Sequence, residues 1–339
     1  MPAFRRAAVT RVLSERPGLQ RVETDAGRAY VLTQLTGPVA VGDDVIVNTT
    51  AVDLGLGTGG WHVVHWNLAR DAWAEPGPGH IMKLRYTSLQ ADTGAAEEHH
   101  PDVAGDLGGA PVVVCGLHSQ VPAVAVSVLA ARPGARIAYV MTDGAALPLA
   151  LSDLVHAMVE RGVLAATVTA GHAFGGDLEA VSVPSALALA RHVLGADVTI
   201  VAMGPGVVGT GTALGTTSVE VAAILDAAAA LGGTPIAALR MSSADPRPRH
   251  RGVSHHSRTA LELVRSRVLV AAPTDGLDLD LRHDVRVLPP PPVAELLADA
   301  GLTVTTMGRG PEEDPLFFQA AGSAGALAAS LLPSPEGAE

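Results

Sequence analysis

From residue 111 onward, short runs of β-branched and apolar residues alternate with longer stretches of helical character. Runs at 112–115, 137–141, 165–169, 196–203 and 235–241 are each followed by a helical stretch, at 121–131, 149–161, 185–194, 218–231 and 259–265. Few folds satisfy such a pattern, because parallel neighbours in a sheet need a long crossover over one face, and that crossover is right-handed. The alternation therefore predicts a Rossmann-like α/β domain, a mostly parallel sheet with helices on both faces. Further strands are expected at 267–271, 284–288 and 303–307, with helices at 293–300 and 316–331 on either side of the last. Hydrophobic residues make up 48% of the chain but aromatics only 3%, so the core is expected to be closely packed Ala, Val and Leu.

The first 85 residues have another rhythm. Runs at 7–13, 20–23, 28–33, 44–49 and 61–65 are rich in Val, Thr and Tyr and are separated by Pro-Gly, Ala-Gly, Gly-Pro and Gly-Asp turns, which predicts a small N-terminal all-β, barrel-like domain. The glycines at 55, 57, 59 and 60 form either a hairpin tip or a second anion nest, and 81–86 reads as a strand. The polar, glycine-rich segment 86–110 reads as a linker, in which Glu97-Glu98-His99-His100 has the look of a metal cluster but is expected to be solvated. The α/β domain then runs over 111–332, and 333–339 is expected to be a disordered tail.

Composition excludes several classes of function. No apolar run is long enough to span a bilayer, since the best candidate, 110–131, is interrupted by His118, Ser119 and Gln120. Neither a membrane partner nor a signal peptide is expected, and the cytoplasm is the expected compartment. The single cysteine, Cys115, rules out an intramolecular disulfide and a multi-thiolate metal site. A formal charge of −11 opposes a nucleic-acid partner. Yet residues 240–267 hold seven arginines against two acids, Asp245 and Glu262, so this segment stands out as locally basic. Lys83 is the only lysine, which excludes a phosphate loop of the Gly-Lys-Ser/Thr kind.

In a parallel α/β sheet, ligands bind beyond the carboxyl ends of the strands, where helix N-termini and free amides converge. The residues after successive expected strands are therefore the candidates. His118 follows the first strand and Asp143 the second, while His172 and Asp177 follow the third; these four are the candidate acid/base residues. After the fourth comes a glycine-rich loop, with Gly204, Gly206, Gly209, Thr210, Gly211 and Thr212 as candidate anion ligands. The fifth strand empties into a loop offering Arg240, Ser242, Arg247, Arg249, Arg251, Ser254, His255 and His256. Thr274, Asp275 and Gly276 mark a sixth exit.

Gly204, Gly206 and Gly209 have dinucleotide spacing, but Pro205 removes an N–H, the glycines continue to Gly215, and the next strand ends on Arg240 instead of an acid. Gly116-Leu117-His118-Ser119-Gln120 lacks the closing glycine of a nucleophile elbow, so Ser119 reads as a helix cap. No zinc spacing appears among the histidines, no metal is assigned, and no cofactor is identified.

Segments 171–177, 204–215 and 240–257, together with 45–55, resemble an uncharacterised bacterial family, catalogued as domain of unknown function 3866. The resemblance covers most of the chain and implies no activity. The residues themselves favour an enzyme acting on a small anionic metabolite, phosphate- or carboxylate-bearing, without deciding that the chain is an enzyme at all. The alternative is a non-catalytic ligand-binding or assembly protein acting as a homodimer, for which Ala320, Ala321, Gly322, Ala324 and Gly325 offer a small-residue helix face.

Overall fold

Alternating burial along five short strands closes the N-terminal region into a barrel. In the computed structural model, which describes every residue except Thr58, Asp278, Asp280, Leu281 and residues 334–339, these are β1 (Phe4–Arg16), β2 (Leu19–Thr24), β3 (Gly27–Val31), β4 (Asp44–Asn48) and β5 (His62–Asn67). Their order around the barrel is β1-β2-β3-β5-β4, with β3 and β5 parallel, a Greek-key arrangement. Val9, Val22, Val31, Val45, Val47 and Val64 point inward and fill the interior. Chain contacts divide the protein into two units, Met1–Gly94 and Ala95–Glu339.

The second unit is built on an eight-stranded sheet, parallel throughout: β6 (Pro111–Cys115), β7 (Ile137–Thr142), β8 (Ala166–Ala170), β9 (Leu178–Ala180), β10 (Val198–Met203), β11 (Thr234–Ala238), β12 (Leu269–Ala272) and β13 (Asp284–Val287). The spatial order is β9-β8-β7-β10-β6-β11-β12-β13. Because side chains alternate across a strand, each strand feeds two cores. Val113, Tyr139 and Ile200 point to one face, which is covered by α1 (Val121–Ala131), α2 (Asp153–Glu160), α6 (Val293–Asp299) and α7 (Pro315–Ser330). Val114, Val140 and Val201 point to the other, under α3 (Val183–His192), α4 (Glu220–Ala230) and α5 (His255–Leu263). Chain leaving β6 goes to the first face and chain leaving its neighbour β10 to the second, so the loops part between these strands and leave a crevice.

Several expectations change in detail. Residues 303–307 form no strand; the segment turns back through a bridge between Thr306 and Arg309. Only Met82–Lys83 of the segment 81–86 is extended as a strand. The edge strand β9 was not foreseen, being three residues long and reached from β8 without a helix. Part of the expected linker belongs to the α/β unit: Leu107 is buried there, and Glu97 accepts hydrogen bonds from the Val181 N–H and the Ser185 hydroxyl. The expected tail, apart from its first residue, lies outside the described residues. The small face of α7 is consumed inside the chain, since Cβ atoms at Gly322 and Gly325 would stand 2.4 Å from Val293 and 2.3 Å from the Val124 carbonyl. That face is not available to a second copy. Among the described residues no helix is long and apolar enough to cross a membrane.

Candidate functional site

The loop after β10 cannot seat a dinucleotide in the usual way. Residues 204–215 fold back on themselves through a Gly209–Thr216 bridge, with the Thr210 N–H donating to the Gly215 carbonyl at 2.7 Å and the Thr210 and Thr212 hydroxyls 3.0 Å apart. Helix α4 starts only at Glu220, a carboxylate where a pyrophosphate would have to sit. Gly204 anchors the loop, since a Cβ there would stand 2.4 Å from the Ala146 carbonyl. At the exposed tip, Gly211 lies against the Arg249 guanidinium.

The loop after β11 supplies the densest group of charges. Asp245, 1% exposed, accepts from Arg247 Nε at 2.9 Å and Nη2 at 2.8 Å, with Arg309 at 3.6 Å and Arg240 at 3.8 Å. The Arg247 hydrogen bonds hold its carboxyl well below the ordinary carboxylate range. Arg251 Nε donates to the Asp245 carbonyl, and the Ser242 hydroxyl donates at 2.6 Å to Asp314, which also pairs with Arg309. Three of the expected ligands, Ser242, Arg247 and Arg251, thus hold the loop in shape. Arg240 and Arg249 remain for a ligand, Arg240 being 6% exposed with its pKa pushed down to about 10 by burial and by Arg247.

Three imidazoles pack on these arginines, with ring centroids of His250, His255 and His256 between 4.3 and 5.0 Å apart. Ser254 caps α5 and meets His250 Nδ1 at 2.7 Å. Burial, then the arginines, lower the pKa of His250 to about 4 and of His256 to about 3, and lower that of His255, so all three are neutral at pH 7. One nitrogen from each lies within 4.8 Å of the others, which is the reach of a metal site. Two facts oppose one. Arg240 donates to His256 Nδ1 at 3.1 Å, which takes that lone pair and leaves the proton on Nε2, and the surrounding guanidinium groups repel a cation.

The acid/base candidates separate. His118 sits between the Tyr139 hydroxyl (3.2 Å from Nδ1) and Ser152 Oγ (2.7 Å from Nε2). Since Tyr139 donates to the Ala202 and Met203 carbonyls, His118 carries its proton on Nδ1 and accepts from Ser152. Burial lowers its pKa to about 4. A cavity of about 540 Å³ opens beside it, lined by His118, Leu154, Pro205, Val207, Val304 and Met307 among others, and the Arg/His group is not part of that lining. Asp143 accepts from the His172 backbone N–H at 2.9 Å, placing the two loops side by side. Asp177 is elsewhere: it accepts from the N–H and hydroxyl of Thr167, at the opposite end of β8 from His172, and is a structural clamp.

Glu220 emerges in their place. Its carboxylate occupies the space left by the missing side chain of Gly144, accepts from the Thr142 hydroxyl at 2.7 Å, and neighbours Asp143. Burial, with a smaller contribution from Asp143, raises its pKa to about 7, where a carboxyl gives and takes protons at neutral pH. An acid at a helix start is ordinary placement opposite the helix dipole, so Glu220 carries no distinguishing local signal in the sequence. Arg309 and Asp314 lie far from the 240–257 loop in sequence and carried no local signal.

No curated protein and no solved structure matches the chain. The model of the family described as protein of unknown function (DUF3866) matches residues 28–325, from the barrel to the final helix, and the chain belongs to that family.

Proposed function

We propose that the chain is an enzyme acting on a small anionic metabolite held at the carboxyl ends of the parallel strands. The observation that carries this is the buried Arg240, set with Arg247, Arg249, Arg251 and Arg309 where, among the described residues, Asp245 and Asp314 offset them, at the exit of β11 beside the β6/β10 crevice. Such a surplus of positive charge is costly to bury unless a ligand offsets it. Glu220 is the acid/base residue in this reading, with Asp143 beside it. The expected setting is the cytoplasm. The non-catalytic homodimer loses the helix face that suggested it.

A thermal-shift screen of anionic metabolites tests binding, because a ligand of the native state raises the melting temperature. Compounds that shift the melt are then incubated with the protein and followed by mass spectrometry. Turnover that disappears in Glu220→Gln while the melting shift persists supports the enzyme. Melting shifts without turnover overturn catalysis, and the absence of any shift at millimolar anion overturns the site.

A further inference from the structure

We infer that the Arg/His group binds a phosphate dianion, free or as a monoester, through Arg240, Arg249, His255 and His256. This narrows the anionic ligand of the preceding reading and rests on it. Among the described residues, five guanidinium groups, Arg240, Arg247, Arg249, Arg251 and Arg309, gather where two carboxylates, Asp245 and Asp314, offset them, so the positive charge left over exceeds what a singly charged carboxylate neutralises. A phosphomonoester carries close to two negative charges at neutral pH, whereas a carboxylate carries one. A phosphodiester, with one charge per phosphate, matches the surplus no better than a carboxylate does.

The donors are arranged for such a group. Arg247 is spent on Asp245 and Arg309 on Asp314, but Arg240 and Arg249 keep guanidinium edges that suit tetrahedral oxyanions. Because Arg240 donates to His256 Nδ1, the remaining proton of His256 is on Nε2, where it is a donor. Among the described residues, His255 Nε2 is buried and meets no hydrogen-bond partner. A buried imidazole nitrogen without a partner costs free energy until a ligand meets it. Both histidines lie in the first turn of α5, where the positive end of the helix dipole favours an anion even though Ser254 caps the His256 N–H. On the open side, Arg249 is exposed and lies against Gly211 of the glycine loop, so the ligand enters between the two loops.

Isothermal titration of the full chain at pH 7.5 with inorganic phosphate, glycerol phosphate and acetate tests this. Phosphate or its monoester is expected to bind at least about tenfold more tightly than acetate. Arg249→Ala, at an exposed position, is expected to weaken phosphate binding by about tenfold or more without altering the melt, and His255→Ala to weaken it too. Glycerol phosphate binding alone identifies an esterified ligand; inorganic phosphate binding equally well identifies the free ion as sufficient. Acetate binding as tightly as either phosphate overturns the dianion while leaving an anion site. No binding by any of the three overturns both readings. Stoichiometric Zn²⁺ binding that is lost in His255→Ala replaces the phosphate site with a metal site.

Discussion

Replacing Asp245 by Asn leaves the shape of the Arg loop nearly unchanged and removes its central charge. The side chain is 1% exposed and receives a two-pronged contact from Arg247, with Arg309 and Arg240 within 4 Å. Removing one partner of a buried ion pair costs about 3–5 kcal/mol, because the remaining charge is stranded. Arg247 is 35% exposed and recovers some hydration, whereas Arg240 at 7% recovers little, which places the cost near the lower end, about 3 kcal/mol. For a unit of this size that corresponds to a fall of about 6–12 °C in melting temperature. Far-UV circular dichroism follows the helices of the α/β unit, while the emission of Trp61, Trp66 and Trp73 arises from the barrel unit alone. The pH dependence has a definite sign. Asp245 has a depressed folded pKa, so its stabilisation is present above the unfolded value of about 3.9 and is lost as pH falls through the folded value. The difference between the two proteins should therefore begin to shrink below about pH 5 and go on shrinking as pH falls toward the depressed folded value. A melting shift below about 2 °C at pH 7, or one that does not shrink in acid, refutes the account of Asp245 as the group that holds the arginines together.

Three other outcomes are expected. Gly325→Ala drives a Cβ to 2.3 Å from the Val124 carbonyl and 2.8 Å from Ser127 Cβ, so the α1–α7 contact has to open, at about 1–3 kcal/mol in urea unfolding. Glu220 has a raised folded pKa, so the wild type loses stability as pH rises from about 4.3 through 7; Glu220→Gln should remove that slope and be the more stable protein at pH 8, by roughly 2–3 kcal/mol in denaturant titrations. Ser152→Ala removes the α2 cap and the proton donated to His118 Nε2, which should cost about 1–2 kcal/mol and raise the His118 pKa read by NMR titration.

Period and punctuation alone identified the barrel and the sheet, because burying a strand face or a helix stripe demands regular spacing that a linear chain displays openly. Helix 121–131 was legible to the residue because α1 is apolar except for Ser127, begins at a proline and ends where Arg132-Pro133-Gly134 follows. The strand exits were legible too, since glycine and polar residues collect where a chain turns over the carboxyl edge of a parallel sheet. What the chain could not display is which exits meet. Asp177, five residues after His172, is carried to the far end of β8 by the short connection to β9, while Asp143, 29 residues before it, is brought alongside. Arg309 and Asp314 reach the 240–257 loop only because α7 packs back across the sheet beside β11 and the Ser242 turn. Charge balance and the pKa values that follow from it depend on burial and on distances of a few ångströms. Those are properties of the packed sheet edge, where Glu220 becomes a neutral-pH acid and the Arg loop gathers more guanidinium groups than carboxylates.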